Sequence, residues 1–322
     1  MNLWDLLRNP LFHIDERETT FRRRGFPSGS PVAQSHLEGI GRSFLRGYHG
    51  AVDSGMSKSM TDSLAQVGSE YQGFAYEGAA MGLGLLDALS FGKKFRWKEF
   101  VDGPGQPHKY VVHVGLGWVV ARLPWLRSRP EKFISNFDPL LKWLVLDGYG
   151  FHEGYFHWKK WGPDTGRRPK FEGYASRAFD QGLGRCLWFV SCADAVRAAD
   201  LIERFEPDRQ ADLWSGVGLA CAYAGKPTAE EVESLMRSAG SHVIHFRQGI
   251  TFGAEARELA GIPAEHTERT CQIACGMSAS EAARLTYTAI PPTVTDSSIV
   301  PAYETWRSQI RDLLTEGIPS CL

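Results

Sequence analysis

The chain has 322 residues, 43% of them hydrophobic and 23% charged, with 36 basic against 37 acidic side chains and a net charge of −1. That balance lacks the basic excess of a nucleic-acid binder, and the most apolar stretch, 78–89, is too short for a transmembrane helix and carries Asp87. Six cysteines, at 186, 192, 221, 271, 275 and 321, form no CxxC pair, and the first residues lack a signal-peptide pattern, so a cytoplasmic protein with reduced thiols is expected.

From the N-terminus, the basic cluster Arg22, Arg23 and Arg24 reads as a solvated arm rather than a phosphate site. A Gly-x-Gly-Arg pattern at Gly39, Gly41 and Arg42 opens a helix and recurs at Gly182, Gly184 and Arg185. The small-residue stretch around Glu77 and Gly78 has its counterpart at Ser215 and Gly216, and the stretch ending at Glu153 and Gly154 matches the one at Gln248 and Gly249. These ordered matches predict a mostly α fold: a helical bundle built from an internal duplication of a roughly three-helix unit.

The first unit spans residues 1–160 with an insertion at 91–135, a basic linker loop covers 161–172, and the second unit with C-terminal helices covers 173–322. Within the insertion the β-branched run from Tyr110 to Val114 suggests a short β segment near 109–115, although helix is the other reading. The linker is rich in glycine, proline and arginine. Helices are expected at 278–287 and 301–316, the latter starting at Pro301.

Gly115, Gly117 and Val120 mimic a dinucleotide fingerprint, but the third position is valine and no βαβ alternation surrounds it. His152 and His157 are five apart, which removes them from a common helical face. The densest polar and aromatic constellation runs from Asp147 through His152 and Glu153 to His157, with acid–base groups or metal ligands as its chemistry. In the second unit, Cys192, Ser215 and Gln248 stand where the first has His49, Glu77 and Glu153, which concentrates ionisable groups in the first half. Asp194 with Arg197 and Glu255 with Arg257 read as internal links, and His266 as a residue near a helix start. Ten Trp, eighteen Phe and ten Tyr suit a packed helical core first and an aromatic-walled pocket second.

The segments around Ile40 to His49, Tyr76 to Met81, His113 to Trp118, Leu146 to Phe156, Leu213 to Leu219 and His266 to Glu268 resemble a bacterial domain family of unknown function that includes UnbL-like enediyne biosynthesis proteins. The resemblance covers about residues 5–312. It implies a role beside iterative polyketide synthases, in converting a long polyene to an enediyne core with companion proteins that include a membrane protein. The family supplies no catalytic residues to carry over.

The expected function is therefore an enzyme acting on a long hydrophobic polyene, by cyclisation or unsaturation. Its alternatives are an isoprenoid cyclase, or a non-catalytic carrier that docks on a membrane-bound enzyme. The candidate catalytic residues are Glu153, His152, Asp147, Glu77 and His49. Candidate contacts to the substrate are Tyr48, Tyr76, Trp118, Tyr149, Phe151, Tyr155, Phe156, Trp188 and Trp214. The sequence assigns neither cofactor nor metal, and no nucleic-acid partner is expected.

Overall fold

A computed structural model describes residues 12–90, 95–171, 173–294 and 300–317; Cys321 lies outside them. Among the described residues the protein is helical and contains no strand. Its core is a row of helices: α1 (Pro31–Ser54), α2 (Ser69–Leu89), α3 (Lys109–Arg122), α4 (Lys142–Phe156), α5 (Tyr174–Val190), α6 (Pro207–Tyr223) and α7 (Val243–Leu259). Each packs on the next in chain order. Local signals start several of them: Pro31 and Pro207 occupy the first helical turn, where a missing N–H leaves no bond unmade.

The packing unit is shorter than the three-helix duplication expected above. A glycine pair two residues apart recurs in α3 (Gly115, Gly117), α4 (Gly148, Gly150), α5 (Gly182, Gly184) and α6 (Gly216, Gly218). Residues i and i+2 lie about 200° apart around a helix, so the two glycines face opposite neighbours. In α4, a methyl on Gly148 would overlap the Val114 carbonyl of α3, and one on Gly150 would overlap the Phe179 carbonyl of α5. The other pairs behave alike, with Gly182 against Asp147 and Gly184 against Leu213. The glycines thus let backbone approach backbone on both sides of each helix, outweighing a helix-propensity cost of roughly 1 kcal/mol each. Facing residues rise together, Gly47 against Ala75 and Gly82 against Ala51, so neighbouring row helices run parallel. Shorter helices, among them Lys58–Ala65, Ala195–Glu203 and Ala229–Ala239, return the chain on the outside.

This packing corrects two expectations. Residues 109–115 are not a β segment; they begin α3, which belongs to the row rather than to an insertion. Val111, Val112, Val114, Leu116, Val119 and Val120 are all buried, and a helix covered on every side needs no polar face. Burial of that kind overrides the weak strand preference of its valines. By its contacts Gln248 also matches Asp147 rather than Glu153, since Gly249 packs on the preceding helix as Gly148 does.

The row curls until its ends meet. His36 of α1 bonds the Ala224 carbonyl at 2.7 Å, Phe74 of α2 meets Tyr223 edge-on at 5.2 Å, and the Tyr110 hydroxyl donates to Glu255 at 3.1 Å. Glu255 therefore serves Tyr110; Arg257 instead donates to the Tyr223 and Ile262 carbonyls, so the expected link between the two is not formed. Asp194 accepts from the Arg197 backbone N–H as a helix cap, and His266 lies in the first turn of the helix Glu265–Cys275, as expected.

In five row helices a polar group precedes a packing glycine: Glu77 before Gly78, Asp147 before Gly148, Gln181 before Gly182, Ser215 before Gly216 and Gln248 before Gly249. α8 (Ala279–Thr288), opened by a Ser278–Glu281 capping box, leads to α9 (Ala302–Gly317), which docks on several of these groups. Gln181 Nε2 donates to Asp147 at 2.8 Å and to the Tyr303 hydroxyl at 3.0 Å. Arg307, fully buried, donates to Asp212 at 2.7 Å and to Gln248 at 3.1 Å. The linker is tied down as well, because Arg168 grips Asp208 with two 2.8 Å bonds.

Candidate functional site

Between the row and the N-terminal segment lies a narrow, partly open cleft. Its walls come from α1 (Leu37, Ile40, Phe44), α2 (Phe74), α3 (Trp118), α4 (Phe151, Tyr155, Phe156), α5 (Phe189) and α6 (Leu219, Tyr223), with Ile14 and Thr19 beside the α1 wall. A second narrow cleft lies beyond, lined by Tyr110, Phe252, Tyr303 and Trp306 among others. Arg185, Leu219 and Tyr223 line both, so the two clefts adjoin across these side chains.

The charged groups concentrate at that junction. Glu77 faces the first cleft and Asp147 the second, with Arg185 common to both. Arg185 bonds the Asp147 carboxylate, and its guanidinium lies over the Phe151 ring at 5.1 Å. Glu77 has one hydrogen-bond donor, the Trp118 indole N–H, at 3.1 Å. Burial pushes the Glu77 carboxyl up to about 7, against the opposing pull of Arg185 and Trp118. Asp147 is also raised by burial, with Arg185 as the main counterweight. The Tyr223 hydroxyl is buried without a hydrogen-bond partner at the same junction. A carboxyl of raised proton affinity and a fixed cation thus lie side by side on an aromatic slot.

A family model described as protein of unknown function, DUF1702, matches residues 3–314. The chain belongs to the DUF1702 family. No curated protein and no solved structure matches it.

In this DUF1702 member the sequence-derived candidates separate into distinct places. Glu77, Trp118, Phe151, Tyr155 and Phe156 line the first cleft and Asp147 the second. His49 lies outside: it accepts the Ile14 backbone N–H at 3.2 Å and stacks on His13 at 4.5 Å, securing the N-terminal segment. Tyr48 does similar work by donating to the Phe12 carbonyl at 2.8 Å. Tyr76 stacks on His108, Tyr149 packs on Phe171 and Phe179, and Trp214 packs on Phe246, all away from the cleft lining. Trp188 is fully buried and donates to the Gly225 carbonyl at 3.1 Å. Arg24 is not solvated; it pairs with Glu18 and lies 4.8 Å over the Phe156 ring, at the edge of the cleft.

His152 and Glu153 form a separate group with His157, beneath the Trp118 ring. His157 caps α4 with φ −128° and ψ 35°, and this departure from the helix turns its imidazole back toward Glu153. The five-residue spacing that argues against a common helical face therefore does not keep the two histidines apart. Arg185, Phe44, Phe74, Phe189 and Tyr223 are cleft residues that sequence reasoning did not select. For Arg185 a signal existed, since it closes the repeated Gly-x-Gly-Arg pattern.

Proposed function

We propose that this protein is an enzyme that binds a long, thin, polyunsaturated chain in the aromatic cleft and initiates its cyclisation or isomerisation by protonation from Glu77. The observation that carries this reading is a buried carboxyl with a pKa of about 7 on the wall of an apolar cleft. Such a substrate has few polar handles, so aromatic walls and a narrow shape must position it. Arg185 is already bonded to Asp147. A diphosphate would compete for that charge, which favours a hydrocarbon-like polyene over a prenyl diphosphate. A polyketide-derived polyene of the enediyne type meets this description, with companion biosynthetic proteins, one of them in a membrane, as the source or recipient of the chain.

In the proposed step the Glu77 O–H bond breaks as a C–H bond forms at one alkene carbon, using that alkene's π electrons. The cation so created would be stabilised by the aromatic lining, Phe44 and Phe189 among it, whose π faces attract positive charge. The new Glu77 carboxylate keeps the Trp118 N–H bond and the nearby Arg185 charge. Attack by a second alkene closes a ring, and loss of a proton to Glu77 restores the acid. No oxidant is consumed.

The test uses parinaric acid, a conjugated tetraene, and then candidate polyenes in D2O. Binding should quench tryptophan fluorescence, and turnover should place deuterium on the product carbon. Glu77→Gln should bind and fail to exchange. A wild-type protein that binds polyenes and never incorporates deuterium overturns the enzyme reading and leaves a carrier.

A further inference from the structure

Glu153 sits on the last turn of α4 with one imidazole on each side. Its Oε1 is 3.4 Å from His152 Nδ1 and 3.3 Å from His157 Nδ1, and the three ligand atoms lie within 4.8 Å of one another. Charge-assisted hydrogen bonds between such groups run to about 2.7–2.9 Å, so these separations are too long for a closed ion pair. Consistent with that, His152 Nδ1 and Glu153 Oε1 are both buried and have no hydrogen-bond partner. Two unsatisfied polar atoms facing each other in a buried site are costly unless something lies between them.

The spacing states what would fit. Metal–nitrogen and metal–oxygen bonds of about 2.0–2.2 Å at tetrahedral angles put ligand atoms roughly 3.3–3.5 Å apart. The two carboxylate–imidazole separations match that edge, and the imidazole–imidazole edge lies within 4.8 Å. Glu153 Oε2 is held by the Trp161 indole N–H at 2.8 Å, which leaves Oε1 aimed at the gap and fixes the carboxylate as an outer-shell donor does. The His157 side chain is 44% exposed, so the group adjoins the surface on that side.

We propose that His152, Glu153 and His157 form a binding site for one divalent transition-metal ion of the zinc class, with the fourth position open. Two imidazoles and one carboxylate form a donor set that suits a zinc-class cation. The ion would also lock the His152 ring, which meets Trp118 edge-on at 5.3 Å, and through it the donor to Glu77.

The experiment is a titration of the full-length, chelator-stripped protein with Co2+, read by visible absorption, followed by competition with Zn2+. One equivalent should give intense d–d bands of tetrahedral type, displaced by Zn2+. His157→Ala, at an exposed position, should keep the helical circular dichroism and bind at least 100-fold more weakly. Glu153→Gln should weaken binding similarly. Absence of bands at one equivalent overturns the site. So does unchanged binding in His157→Ala, or a near-ultraviolet thiolate–cobalt band that places the ion on cysteine. The titration does not involve Glu77, so its failure would leave the polyene reading standing.

Discussion

The Trp118 indole N–H donates to Glu77 Oε1 at 3.1 Å across the α2–α3 contact. This bond is possible because Gly115 lies directly against the Glu77 carbonyl, bringing the two helix backbones together. The same close approach keeps water from solvating the carboxyl, which is why burial dominates its proton affinity. Packing chemistry and acid chemistry therefore have one origin in the glycine-spaced row.

Glu77 should leave a signature in stability as a function of pH. Its folded pKa is raised from 4.5 to about 7, so between those values the folded state holds a proton that the unfolded state has released. Stability from this group is full below pH 4.5 and is lost as pH rises to about 7, by about 3 kcal/mol at most. Urea denaturation at pH 5 and pH 8 should show this loss in the wild type and less of it in Glu77→Gln. Asp180, raised to about 6 by burial, adds a loss of the same sign in both proteins, so the difference between them isolates Glu77. Equal slopes would mean that Glu77 ionises as an exposed acid does.

Trp118→Phe keeps the ring and removes the donor. The Trp118 bond favours the Glu77 carboxylate, so its loss should move the pH-dependent window, and the basic limb of any proton-transfer rate, to higher pH. The change should be of the order of half a unit to one unit, followed by the pH dependence of deuterium incorporation. A shift to lower pH would contradict the assigned direction of the bond.

The helical class and the interest of the segment 147–157 were legible from sequence because glycine spacing and residue clusters are local. The one-helix period was not, because the glycine pairs resemble nucleotide-binding loops until their neighbours are known. Gly115 and Gly117 illustrate this: the fingerprint spacing serves helix contacts on two sides. His157 was set aside by helical geometry that it does not obey, since it stands one residue beyond the helix. Arg307 and Asp212 were missed altogether; they are 95 residues apart, and only folding brings them to 2.7 Å.

The row packing predicts opposite outcomes for two glycine substitutions. Gly148→Ala would drive a methyl into the Val114 backbone carbonyl, which cannot move as a side-chain tip can. It should destabilise by about 3 kcal/mol or more. Gly50→Ala, also inside a helix, meets only the Met60 Cγ at an ordinary 3.7 Å. There the gain in helix propensity should prevail, stabilising by roughly 0.5–1 kcal/mol. Thermal and urea unfolding of the two variants would check the pair, and equal effects would refute the close-packed row.

Arg307 provides the last test, of how α9 is held. Its guanidinium has no solvent exposure and bonds Asp212, Gln248, Glu304 and the Tyr174 hydroxyl, groups from three row helices and from α9 itself. Arg307→Met fills most of the volume yet leaves Asp212 and Glu304 buried with Arg177 as their remaining shared cation. Breaking one side of a buried charged cluster costs about 3–5 kcal/mol, and the residual Arg177 contacts place this variant toward the lower end. The loss should appear in urea midpoints. It should be accompanied by faster hydrogen exchange in α9, because Tyr303 and Trp306 flank the lost contacts on the same helix. If exchange rises uniformly instead, α9 is cooperative with the row and Arg307 stabilises the whole fold rather than the docking of one helix.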